Sequence, residues 1–261
     1  MTSVRVIGVG LLGPGLPDWA TAQTLLREPA AWQRQATVIP APNRLPAAER
    51  RRAGNVIKAS IAVADEALTA CGLQASELPT VFTSSTGDPL NCHLLCEALA
   101  TTERMVSPTR FTNSVHNAAA GYWHIAARSH QPSTSLAAFD TSFAAGLLEA
   151  AVQVHSTNAA VMLVACDVPY PQPLHALRPV DDVMAVALVL APESSSGRLL
   201  NIEMRHGDAP ITRCADATFE ALRLGIPTAR ALPLLRALAT SATCTVVLEG
   251  SPGSALAIQV A

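Results

Sequence analysis

Apolar and polar positions along the chain follow two rhythms. Strands are expected at Val4–Val9, followed by Gly and Pro punctuation, at Thr80–Ser84, introduced by Pro79, and at Ala160–Ala165, a near-continuous apolar run like that of a strand buried on both faces. A helical rhythm covers Ala53 to Cys71, where Val56, Ile61, Ala64, Ala67 and Leu68 fall on one face and Gly72 supplies a stop. Further helices are expected at Pro89–Ala100, Asn117–Arg128 and Ser142–Val154, with a loop over Ser107–Ser114 and a strand over Ser135–Phe139. Residues Trp19 to Arg52 are rich in Pro, Ala and Arg and read as short helices and loops.

In the last third, Met184–Leu190 and Arg198–Arg205 read as neighbouring strands. Thr228–Thr240 reads as a helix kinked by Pro233, and Thr243–Glu249 with Ser254–Val260 as a terminal hairpin. Alternating strands and helices predict an α/β domain, a mixed sheet covered by helices, spanning 1–261 as one unit.

Composition narrows the function. With 49% hydrophobic and 15% charged residues over 261 positions the chain can build a core, and a net charge of -2 favours neither nucleic acid nor an acidic membrane surface. No apolar run is long enough to span a bilayer, and Arg5 interrupts the start as a leader would not. A soluble, cytoplasmic protein is expected. Six cysteines are scattered without a C-x-x-C pair; Cys92, His93 and Cys96 offer metal ligands without a second matching pair, so buried thiols on a helix are expected and no metal.

Gly8-Val9-Gly10-Leu11-Leu12-Gly13 matches the G-x-G-x-x-G dinucleotide pattern. That motif needs a helix to begin within its glycines so that amides face a pyrophosphate. Here Pro14, Gly15 and Pro17 follow, and the expected acidic residue about twenty positions on is missing. The segment reads as a strand ending in a Gly/Pro turn, and no cofactor is expected.

The same opening, Val6 to Gly10 with Pro14, resembles the first strand of β-ketoacyl synthases. Ala53–Leu68 with Cys71-Gly72-Leu73 and Glu77-Leu78 looks like their next helix, and Thr80–Gly87 like the strand and turn after it. His116-Asn117-Ala118-Ala119-Ala120-Gly121 is similar to their Asn-x-x-Ala-Gly helix start. The run Pro132-Ser133 to Ser142 resembles the stretch that carries the catalytic cysteine. Without gaps, that cysteine falls on Asp140. Asp140 to Ala150 is close to the corresponding run of ketosynthase-like chain-length factors, which accompany aryl-polyene and related pigment pathways.

The second half departs. The two histidine motifs of a full ketosynthase are missing, and Gly250–Leu256 looks like the family's final Gly-rich turn and strand, so the second half is heavily shortened. The resemblance implies a thiolase-like fold and a non-catalytic subunit, because a carboxylate at 140 caps a helix but is a poor substitute for a thiolate. It implies a heterodimer with an active β-ketoacyl synthase, meeting acyl carrier protein through the complex. Ser135, Leu136, Ala137, Ala138 and Phe139 would form the strand that pairs across the dimer axis. Arg110, Phe111 and Thr112 would stand at the end of the partner's acyl tunnel; for Phe111 core packing, and for Arg110 a solvated loop position, are equally open. The enzymatic alternative is an acyl hydrolase or acyltransferase using Ser142, with His116 or His124 as base and Asp140 orienting it.

Overall fold

The computed structural model describes residues 1–207 and 209–261. Eight strands, β1 (Thr2–Leu12), β2 (Thr80–Thr83), β3 (Ser133–Leu136), β4 (Val161–Asp167), β5 (Met184–Ala191), β6 (Arg198–His206), β7 (Cys244–Glu249) and β8 (Ser254–Val260), form one sheet in the order β3-β2-β4-β5-β1-β6-β8-β7. β2 runs parallel to β3 and β4, and the remaining pairings are antiparallel. The sheet is mixed, as expected.

Period-two alternation divides the central strands between two cores. Val161, Leu163 and Ala165 of β4 face one, and Met162, Val164 and Cys166 face the other. The first core is covered by α1 (Trp19–Arg27) and α7 (Ser142–Thr157), with α9 (Ala217–Gly225) and α10 (Leu232–Thr240). The second is covered by α3 (Asn55–Cys71) and α6 (Ala118–Ala127). Shorter helices are α2 (Ala47–Arg52), α5 (Pro108–Thr112) and α8 (Leu174–Leu177); α4 (Pro89–Ala100) lies between β2 and α5.

Several expectations are corrected. β5 and β6 do not adjoin: β1 lies between them, giving Thr2–Val6 to β6 and Arg5–Leu12 to β5. The residues expected as a loop before α6 contain α5, begun by Ser107, whose hydroxyl accepts from the Arg110 amide. Pro233 does not kink a helix; a 3-10 turn over Pro227–Ala231 precedes α10, and Pro233 sits in its first turn, where a missing N–H costs nothing. α9 was not anticipated. Cys92 and Cys96 are exposed on α4 rather than buried.

The glycine-rich opening is a packing device. β1 runs on through Gly8 and Gly10 to Leu12, and α3 crosses it so closely that a Cβ at Gly8 would overlap the Ala67 carbonyl and one at Gly10 the Val63 carbonyl. The amide after Gly10 is already taken: Glu66 of α3 accepts from Leu11 N–H at 2.8 Å and from Trp19 N–H at 2.6 Å. Burial pushes the Glu66 carboxyl above its usual range. No helix begins until Trp19, so the geometry of a pyrophosphate cradle does not form. Gly10→Ala should destabilise the protein by about 2 kcal/mol or more, because backbone rather than a mobile side chain must move. A urea-unfolding midpoint unchanged from wild type would contradict the close approach.

Candidate functional site

The carboxyl ends of β2, β3 and β4 lie together at one end of the sheet, and the N-terminus of α7 meets them there. Ser142 opens α7 and ties the turn before it: its hydroxyl donates to the Phe139 carbonyl at 2.6 Å and accepts from Ala138 N–H at 2.9 Å. Thr141 Oγ1 donates to the Ala138 carbonyl at 2.7 Å, and Thr83 Oγ1 of β2 to the Ser142 carbonyl at 2.9 Å. The strand ends at Leu136, so Ala137, Ala138 and Phe139 form the turn rather than the strand expected for them. The cause is this hydroxyl-locked turn, which bends the chain toward α7.

Asp140 stands at the tip. Its Oδ1 receives Arg178 Nη2 at 2.6 Å and its Oδ2 receives Arg230 Nη2 at 3.1 Å. The same Arg178 nitrogen donates to Ser85 Oγ at 2.6 Å, and the Arg178 guanidinium lies 3.8 Å from the Phe139 ring centroid. Arg230 is also paired with Glu249, which in turn approaches Arg223 at 3.6 Å. Burial pulls the Arg230 guanidinium below its ordinary range and Asp140 draws it back. The expected helix-capping carboxylate is therefore the centre of an ion-pair chain that joins the α7 tip to β7.

A second carboxylate, absent from the sequence expectations, organises the neighbouring turn. Asp167 ends β4 and is 1% exposed. Its Oδ1 accepts from Ser85 N–H at 2.7 Å and Thr86 N–H at 2.9 Å, and its Oδ2 from Thr228 Oγ1 at 2.7 Å. A single Asp closing a wholly apolar strand was the available signal.

The serine alternative loses its base in this geometry. His124 Nδ1 faces the Ser129 carbonyl at 3.1 Å, at the far end of α6. His116 is exposed, with Nε2 3.5 Å from the Ser84 carbonyl. Ser142 is buried with its hydroxyl spent on the turn.

Arg110, Phe111 and Thr112 lie on α5. Asn91 Nδ2 holds the Arg110 carbonyl at 2.8 Å, and buried Asn113 donates to the Arg52 carbonyl at 2.9 Å and accepts from Tyr122 Oη at 3.1 Å. With the segment anchored on both sides, Phe111 is left 69% exposed, so core packing does not account for it. Arg110 is half-buried, not a freely solvated cation. Met105, Val115, Ile125 and Phe139 are also exposed, all in or just beyond the β2–β3 crossover. Beside this surface a cavity of about 250 Å³ is lined by Val56, Phe82, Ser85, His116 and Ala137.

Residues 19–242 match the family described as beta-ketoacyl synthase, N-terminal domain. The chain belongs to that family. No curated relative matches the sequence. Among solved structures, this β-ketoacyl synthase relative is similar to a chain of the ketosynthase ApeO in complex with its chain length factor ApeC from Xenorhabdus doucetiae, at 20% identity and TM-score 0.69, over 99% of each chain. It is similar to the ishigamide ketosynthase/chain length factor at 12% identity and TM-score 0.73, over 100% of this chain and 99% of that one. It is similar to the AntDE:AntF complex, a type II polyketide acyl-carrier protein with its ketosynthase bound to the hexaketide, at 13% identity and TM-score 0.78, again over 100% and 99%. The fold is thiolase-like and ketosynthase-type. No helix among the described residues is long and apolar enough to cross a membrane.

Proposed function

We propose that this chain is a chain-length factor: a non-condensing ketosynthase-like subunit that pairs with an active β-ketoacyl-acyl carrier protein synthase in polyketide or aryl-polyene-type biosynthesis. The observation that carries this reading is Asp140, a carboxylate locked between Arg178 and Arg230 at the helix tip. Condensation needs a thiolate to carry the acyl chain, a base or histidine pair for decarboxylation and amides for the oxyanion. A carboxylate held in two ion pairs supplies none of these, and among the described residues no histidine hydrogen-bonds the Ser142 hydroxyl.

The partner role is supported by β3 standing at the edge of the sheet, by exposed apolar residues in the β2–β3 crossover and the turn after β3, and by similar solved structures that include ketosynthase/chain length factor complexes. An unpaired edge beside apolar side chains is a hazard for a lone chain and a template for a partner strand. The pairing ketosynthase would bring the cysteine, both histidines and the acyl carrier protein. This chain would supply tunnel wall, with Phe111 acting by excluded volume and Arg110 and Thr112 flanking it.

The test is reconstitution with a full ketosynthase. Phe111→Ala should shift the product distribution toward longer chains while the complex still forms. An unchanged distribution in an intact complex would remove Phe111 from the tunnel.

A further inference from the structure

The turn before Asp140 is over-determined for a short surface loop, and what it holds is an aromatic ring. Phe139 has φ 52°, a left-handed backbone that a bulky residue adopts only where its surroundings enforce it. The enforcement is visible: Ser142 and Thr141 hydroxyls and amides bond back to Phe139 and Ala138 carbonyls. Yet Phe139 is 65% exposed, so burial within this chain does not offset the strain. The Arg178 guanidinium lies over the ring, 3.8 Å from its centroid. Arg178 cannot wander, because Asp140 and Ser85 each hold its Nη2 at 2.6 Å. Asp140 is fixed from its other oxygen by Arg230, which Glu249 holds in turn.

We infer that Phe139 is a specificity-determining residue, presented to the partner's acyl chain, and that Asp140 is its positioning residue, acting through Arg178. The residue at the lost nucleophile position then has a task of its own. Its carboxylate fixes an arginine, the arginine fixes a ring, and the ring limits where an uncharged acyl chain can run. This rests on the chain-length reading above and adds a second contact to the one at Phe111. Phe139 follows the open edge strand directly, so a partner paired there would meet the ring.

The chain contains five phenylalanines, which makes fluorine NMR on para-fluorophenylalanine-labelled protein readable, with Phe139→Leu assigning the signal. Asp140→Asn and Arg178→Gln should each move the Phe139 resonance toward that of the free amino acid and leave the other four in place. In the reconstituted complex, Phe139→Ala and Asp140→Asn should both shift products toward longer chains. A Phe139 resonance indifferent to Asp140→Asn overturns the positioning role. An unchanged product distribution for Phe139→Ala, in a complex that still co-elutes, overturns the specificity role. Failure of the wild-type chain to co-elute with the ketosynthase sinks the parent reading and the role of Phe139 together, and is recognised before any variant is compared.

Discussion

Ser135→Pro should abolish assembly with the proposed ketosynthase partner while leaving this chain folded. The Thr80 amide of β2 and the Ser84 amide just beyond it donate to the Pro132 and Leu136 carbonyls. In a parallel ladder the even-numbered residues of β3 therefore face β2, and the N–H groups of Ser133 and Ser135 face outward. Proline at 135 removes an outward donor and no bond to β2, and proline is tolerated on an edge strand. The expected result is complete loss of co-elution, with a melting temperature within a few degrees of wild type. Retained co-elution would mean that the partner does not use this edge. The analogous change at Thr134, which faces β2, should unfold the edge and serves as the contrast.

Asp140→Cys should place sulfur at the helix tip without creating condensation chemistry. Two guanidiniums and a helix N-terminus surround position 140, and all three favour a thiolate. The new thiol should react with iodoacetamide faster than the exposed native Cys92, whose thiol burial and its neighbour Cys96 push up. Condensation should stay undetectable, because the thiolate stands among arginines where a ketosynthase uses histidines. Exchanging two carboxylate oxygens, one for each arginine, for a single sulfur should cost about 1 kcal/mol, because the groups are partly solvated and the thiolate keeps the charge. Measurable condensation by this variant alone would show that only the sulfur was missing.

How much of this was legible beforehand depends on range. β4 and α3 declare themselves locally, one by an unbroken apolar run and the other by helical spacing closed at Gly72, whose φ is 69°. The resemblance around Pro132–Ser142 located the helix tip and Asp140 upon it. What failed was mostly non-local. β1 is long enough to pair with β5 and β6 at once, and nothing in β5 or β6 announces the strand between them. Arg178 and Arg230 lie 38 and 90 positions from Asp140 and carry no motif. The strand end at Leu136 was obscured because Ala137, Ala138 and Phe139 continue its apolar character, while the hydroxyls that break it come later, at Thr141 and Ser142. The missed helix α9 did leave a local trace: Asp216 caps it, accepting from the Thr218 and Phe219 amides.

The most direct measurement is to incubate the complex with a radiolabelled acyl thioester, separate the two chains under denaturing conditions and ask which carries the label. All of the covalent label is expected on the ketosynthase cysteine and none on this chain. Label on this chain, at Asp140, Ser142 or any other side chain, would contradict a non-condensing subunit.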